Sequence, residues 1–176
     1  RSHTETITGP TLRKVSALAR ELKVHVLFGF SERRGDGLFN TVALFGPEGT
    51  LIGRYSKSHP LPGEFYDPGG ELPVFDTALG RMGVLICFAR QPPENARILA
   101  LKGAQFIVVP AYGRVREPMD EDVMMQSRAH ENGVNILYVS QHNAFVADPD
   151  GLITDQARSD TRDMLMFGRV VLDERI

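Results

Sequence analysis

The stretch Met82-Gly83-Val84-Leu85-Ile86-Cys87-Phe88-Ala89-Arg90-Gln91-Pro92-Pro93-Glu94-Asn95-Ala96-Arg97 decides how this chain is read. Met82 to Cys87 is an apolar run of strand length. Pro93 then opens a helix that runs to Lys102 and stops at Gly103, proline suiting a first turn and glycine an end. Gln105 to Pro110 reads as the next buried strand. Helices set between strands that bury one face predict an α/β layered fold with mixed strand directions. Cys87, the only cysteine, falls at the last position of its strand, and Pro92-Pro93 force the chain to turn at once. A strand-to-helix turn exposes one side chain and aims backbone N–H groups at what approaches it, and a helix N-terminus favours a thiolate. A lone buried cysteine is more often a small hydrophobe, so both readings stand at this point.

Working upstream, Leu51 to Lys57 is a strand returning from a hairpin turn at Gly46-Pro47-Glu48-Gly49, with Phe39 to Phe45 as its partner. Alternation predicts Tyr55, Lys57 and His59 on one face. A lysine at a strand end is ordinarily a solvated edge residue; close to a sulfur, an ammonium favours the thiolate and can hold a developing oxyanion. Glu64 follows in Leu61-Pro62-Gly63-Glu64-Phe65. A carboxylate in so apolar a loop needs a cation, and Lys57 is the obvious one.

Pro10 to Lys23 reads as a helix with Leu12, Val15, Leu18, Ala19 and Leu22 on its apolar face. Val24 to Phe30 is a strand, Ser31 to Gly37 a polar turn, and Pro60 to Gly70 an irregular loop. Val74-Phe75-Asp76 and the run ending at Cys87 make a second hairpin around Leu79-Gly80. Downstream, Met119 to Asn132 is a helix, Val134 to Val139 and Ala144 to Ala147 are short strands, and Met164 to Leu172 contains the last one. No repeat or linker divides the chain, so one domain over residues 1–176 is expected.

The 176 residues are 42% hydrophobic, enough for one core. A formal charge of −2 gives no reason to expect nucleic acid or an anionic membrane as partner. No apolar run approaches the roughly 18 residues of a membrane span. One cysteine forms no internal disulfide, and a cytoplasmic setting is the simplest expectation. His25, His59, His130 and His142 lack metal-ligand spacing, so neither metal nor cofactor is expected. Arg114 and Arg116 read as a solvated loop.

The order Gly53-Arg54-Tyr55-Ser56-Lys57-Ser58-His59, then Pro68 to Thr77 (PGGELPVFDT), then Gly80-Arg81-Met82-Gly83-Val84-Leu85-Ile86-Cys87, resembles the nitrilase or carbon–nitrogen hydrolase superfamily. Asn40-Thr41, Ala100-Leu101-Lys102-Gly103-Ala104, Arg128 to Val134 (RAHENGV) and Ala147 to Gly151 (ADPDG) extend the likeness nearly from end to end. The resemblance implies a four-layer α-β-β-α sandwich and a cysteine that attacks an amide or nitrile carbon to form a thioester. By position, Cys87 would be the nucleophile, Lys57 the cation for the tetrahedral intermediate, and Phe88 the source of an oxyanion-hole N–H. Glu64 would be the additional loop glutamate that positions Lys57. Tyr55, His59 and Tyr112 are the candidates for contact with a small amide or nitrile. The resemblance also implies self-association into a homodimer or larger homo-oligomer.

The family's general-base glutamate follows its first strand, and Glu5, Glu21 and Glu32 do not match that motif. The first strand, the first helix and that glutamate are therefore expected to be missing from these residues. The family also tends to follow its nucleophile with an aromatic residue, an acid and, two residues on, an arginine. Here Phe88 is followed by Ala89, Arg90 and Gln91, so the acid is absent and the arginine stands one position early. Two readings result: a cysteine amidohydrolase, impaired as given, or a non-catalytic remnant that keeps the sandwich.

Overall fold

The computed structural model describes residues 3–112, 118–159 and 164–172; Arg114 and Arg116 lie outside them. The chain divides into two compact units, 1–71 and 72–176.

The first unit is one helix on a three-stranded antiparallel sheet. α1 (Pro10–Leu22) buries Leu12, Val15 and Ala19 in a cluster with Ala43 and Phe45, against which Val26, Phe28 and Phe30 pack. Leu18 and Leu22, expected on the same face, are exposed. The face is set by the 12-15-19 spacing; Leu18 lies about 90° around the helix from its centre, and Leu22 is the last residue of the helix. β1 (Val26–Arg34), β2 (Gly37–Phe45) and β3 (Leu51–Ser56) pair in sequence order.

The polar segment expected as a turn from Ser31 is instead the end of β1, paired through Arg34↔Gly37, and only Gly35-Asp36 turn. The strand continues because its charge is satisfied. Glu32, 1% exposed, accepts from Arg54 at 2.5 Å, Arg34 at 2.6 Å and the Thr41 hydroxyl at 2.9 Å.

The second unit is a six-stranded mixed sheet in sequential order: β4 (Val74–Thr77), β5 (Gly80–Val84), β6 (Phe106–Pro110), β7 (Asn135–Val139), β8 (Asn143–Ala147) and β9 (Ile153–Arg158). The inner strands β5, β6 and β7 are parallel, and the other neighbours antiparallel. α2 (Pro93–Leu101) links β5 to β6, and α3 (Pro118–Asn132) links β6 to β7. Parallel neighbours need such crossovers, which is what the strand–helix–strand order encodes. α2 lies close over β5 at Gly83, where a Cβ would meet Leu99 at 3.0 Å.

Two expectations fail at the C-terminal end. β9 was not foreseen: its alternate residues Thr154, Gln156 and Arg158 are exposed and polar, and no apolar run marks it. Met164 to Leu172, expected to hold the last strand, is in no ladder. Side chains hold it instead, through the Arg169 N–H to Asp155 and Asn135 Nδ2 to the Val171 carbonyl. Among the described residues no helix is long and apolar enough to cross a membrane.

Candidate functional site

The residues singled out from the sequence divide between the units: Lys57 and Glu64 in the first, Cys87 and Phe88 in the second.

Lys57 is not a strand residue. β3 ends at Ser56, and the chain then leaves the alternating pattern, so Tyr55, Ser56 and Lys57 are all buried while His59 is exposed. The Lys57 backbone is held from both sides. Its N–H donates to the Asn40 carbonyl at 2.8 Å, and its carbonyl accepts from the Gly69 N–H at 2.9 Å. Position 69 has to be glycine, because a Cβ there would lie 2.1 Å from the Ser56 oxygen.

The Lys57 ammonium, 1% exposed, donates to both carboxylate oxygens of Glu64 at 2.8 Å. A buried ammonium persists only when paired in this way, so the expected partnership is present. Tyr55 turns its hydroxyl to the Ser58 N–H and side chain, both at 3.1 Å, and His59 Nδ1 lies 3.0 Å from Ser58 Oγ. Tyr112 is 68% exposed.

Cys87 does not close a strand. β5 ends at Val84, Leu85 still donates to the Val108 carbonyl at 3.0 Å, and Cys87 opens a 3₁₀ turn over Cys87–Arg90. The apolar run misled because Leu85 and Ile86 are buried without being in the ladder. The helix expected from Pro93, α2, starts there, so the 3₁₀ turn stands between it and the sulfur. The turn itself is strained: Cys87 has φ +48°, and one other non-glycine described residue, Lys23, shares a positive φ. The left-handed region costs a side-chain-bearing residue roughly 1–2 kcal/mol, and such strain persists only where the surroundings impose it.

Here they do. The Ala89 N–H donates to Ile86 and the Gln91 N–H to Phe88, each at 3.0 Å. Ala89 is fully buried, and buried Asn95 on α2 donates Nδ2 to its carbonyl at 2.7 Å. Among the described residues no acceptor takes the Phe88 N–H. The result is a half-exposed thiol on a sharp turn past the carboxyl end of a parallel strand, the position from which nucleophile elbows and α/β ligand sites are built.

Around the turn sit residues that sequence reasoning left unassigned. Arg90 points Nη1 at Cys87 Sγ (3.9 Å) and Nη2 at Glu121 on α3 (3.3 Å), and its guanidinium lies 5.6 Å from the Tyr138 ring centre. Arg90 Nε and the Tyr138 hydroxyl are buried without a hydrogen-bond partner among the described residues. Burial foremost, and then Glu121, push the Tyr138 hydroxyl well above the usual tyrosine range, against the opposing influence of Arg90. A signal for Asn95 existed in the polar residue beside Ala96 on the buried face of α2; for Glu121, 31 residues from Arg90, none did.

A concavity of about 770 Å³ in the same unit, lined by Gln105, Asn135, Asp148 and Asp155 among others, opens at the opposite end of the parallel strands and does not include Cys87. No group of three or more His, Cys, Asp or Glu suited to a metal occurs among the described residues.

Of the glutamates weighed as a general base, Glu32 is committed to two arginines, and Glu5 binds Thr11 through its N–H at 2.9 Å and its hydroxyl at 2.5 Å. Glu21 is exposed on α1.

The model of the carbon-nitrogen hydrolase family matches residues 2–174. The chain is 29% identical over 194 residues to human omega-amidase NIT2, covering 97% of this chain and 70% of that protein. It is 32% identical to a hydrolase of Pseudomonas protegens, covering 75% of this chain but 48% of that one. Among solved structures, Saccharomyces cerevisiae Nit3, of branch 10 of the nitrilase superfamily, superposes with TM-score 0.80 at 25% identity, over 93% of this chain and 66% of that one. An amidase from Nesterenkonia sp. shares the fold with TM-score 0.78 at 21% identity, over 84% and 62%. The chain thus spans between about half and about two thirds of the length of these relatives. With the family model matching nearly its whole length, the chain belongs to the carbon-nitrogen hydrolase family.

Proposed function

We propose that this chain carries the nucleophilic part of a cysteine amidohydrolase that cleaves the C–N bond of a small carboxamide. The observation that carries the reading is Cys87 on a strained turn, beside a Phe88 N–H that no acceptor takes among the described residues. In this reading Cys87 Sγ attacks the amide carbon, and the Phe88 N–H donates to the oxygen as it gains charge. The C–N bond then breaks, the nitrogen takes up a proton and leaves as ammonia, and water cleaves the thioester to release the acid and restore the thiol.

A carboxamide is favoured over a nitrile because an omega-amidase is among the relatives that align with nearly the whole chain. Neither the fold nor the motif order distinguishes one amide from another. Glu5, Glu21 and Glu32 do not match the general-base motif, and acid–base assistance is worth about 10²–10⁴-fold. Acylation is therefore expected to outrun thioester hydrolysis in the chain as given.

The test is to mix the chain with a panel of small aliphatic amides, following ammonia and the mass of the Cys87 peptide together. A stoichiometric release of ammonia, matched by an acyl adduct on Cys87 and lost in Cys87→Ser, supports the reading. No ammonia and no adduct with any amide favours the non-catalytic remnant.

A further inference from the structure

Arg90 places its guanidinium 3.9 Å from the Cys87 sulfur, and the proposed reaction leaves it without a task. Its position differs from the family pattern, standing three residues after Cys87 rather than four. The shift matters because the 3₁₀ turn brings residues three apart onto one side, which puts the Arg90 guanidinium against the sulfur of Cys87. Arg90 is 8% exposed, so its charge is little screened. Glu121 takes one nitrogen, the Tyr138 ring lies within cation–π range of the guanidinium, and Nε has no partner. That arrangement positions the cation without saturating it.

Among the described residues of this unit, the other charges on the elements around the turn have their own places. β6 carries no titratable residue, and Glu94 and Arg97 of α2 are exposed. Arg128 of α3 is turned to Glu131 and the Gln91 carbonyl. Asp122 is bound by Asn143, Gln156 and Arg158.

We propose that Arg90 is a catalytic cation of this site that holds the Cys87 sulfur as a thiolate, with Glu121 and Tyr138 as its positioning residues. The inference takes Cys87 as the nucleophile, but its test does not use amide turnover, so either idea can fail alone.

The measurement is the rate of Cys87 alkylation by iodoacetamide at pH 6.5 and pH 9.5, in the whole chain and in Arg90→Gln, with folding checked by circular dichroism. A cation within hydrogen-bonding range shifts an ionisation by about one unit or more, so Arg90→Gln should cut the thiolate fraction at pH 6.5 about tenfold. The remaining thiolate is intrinsically more nucleophilic by about threefold. The net expectation is a roughly threefold slower reaction at pH 6.5, a roughly threefold faster one at pH 9.5, and a tenfold larger ratio between them. Simple loosening of the turn would move both rates the same way and leave the ratio unchanged.

Glu121→Gln removes the opposing negative charge while keeping a hydrogen-bond acceptor for Arg90, so it should lower the ratio; this variant decides the matter if Arg90→Gln does not fold. An unchanged ratio in Arg90→Gln, or an unchanged or larger one in Glu121→Gln, overturns the proposal.

Discussion

Glu32 in the first unit and Arg90 in the second are both buried charges held by opposite charges, yet they are built differently. Every oxygen of Glu32 is used: one takes Arg54, the other takes Arg34 and Thr41, and the Thr41 hydroxyl in turn meets Ser56 at 2.9 Å. Arg90 has a looser carboxylate at 3.3 Å, a thiol as its other contact, and an Nε with no partner among the described residues. The first cluster is complete and serves to carry a polar strand end into the interior. The second is incomplete, and it surrounds the one strained cysteine. Full satisfaction marks structure, whereas strain with unpaired donors marks a place kept ready for something else.

The comparison breaks most decisively at Cys87. Cys87→Ala should abolish both acyl-adduct formation and amide turnover, a loss of at least about 10⁴-fold if the thiol is the nucleophile. It should change unfolding free energy by less than about 1 kcal/mol, since the thiol is half-exposed and its contact with Arg90 is long at 3.9 Å. Retained turnover in Cys87→Ala would remove the elbow from the chemistry.

Glu32→Ala should do the reverse. Removing one partner from a buried ion pair costs about 3–5 kcal/mol, and the lower end is expected because Arg34 and Arg54 keep 40% and 36% of their side chains exposed and can rehydrate. Urea denaturation reads it directly; a loss under about 1 kcal/mol would mean that the complete cluster is not what holds the end of β1.

These two sites also show what a sequence reveals. The cysteine, the lysine and the loop glutamate were visible because each stands at a break in a local pattern: an apolar run stopped by two prolines, a strand stopped by Ser58-His59, a charge among Pro, Gly and Phe. The mixed strand directions followed from the alternation of strands and helices. Glu32 was hidden because a charged residue next to two arginines reads as a turn, and its burial depends on Arg54, 22 residues away. Arg90 looked like a displaced motif residue; its role rests on Glu121 and Tyr138, which only the packing of α3 and β7 brings to it. Local chemistry is legible in one dimension, while the satisfaction of a buried charge is a tertiary property.

A smaller effect sharpens the claim of strain. Cys87→Gly and Cys87→Ala both lack the thiol, but only alanine has a Cβ to oppose φ +48°. Glycine adopts that region freely, at the expense of a more mobile unfolded chain worth about 0.5–1 kcal/mol. The left-handed penalty of about 1–2 kcal/mol outweighs this. Cys87→Gly should therefore match or exceed the stability of Cys87→Ala by up to about 1 kcal/mol, and a clear deficit would show that the turn relaxes when the sulfur is gone.

The smallest expected effect concerns Glu5, a third polar device that belongs with Glu32 on the side of complete satisfaction. The Thr11 hydroxyl foremost, with the Thr11 N–H, the charge of Arg13 and the Leu12 N–H, holds its carboxyl below the ordinary carboxylate range, against desolvation as the second-largest influence. The acceptor sits at the start of α1, where unpaired N–H groups favour negative charge, and Gly9 leaves it room, since a Cβ there would lie 2.3 Å from its oxygen. A carboxyl whose folded value is depressed adds stability that is present above its unfolded value, about 4.3. That contribution fades as pH falls through the lower folded value. The Thr11 amide should therefore exchange slowly at pH 6 and lose protection as the pH drops below the unfolded carboxyl value, ahead of global acid unfolding. Glu5→Gln should flatten that dependence and resemble the acidic state at every pH. If Thr11 protection in the unaltered chain is the same at pH 3 and pH 6, the carboxylate is not what caps α1.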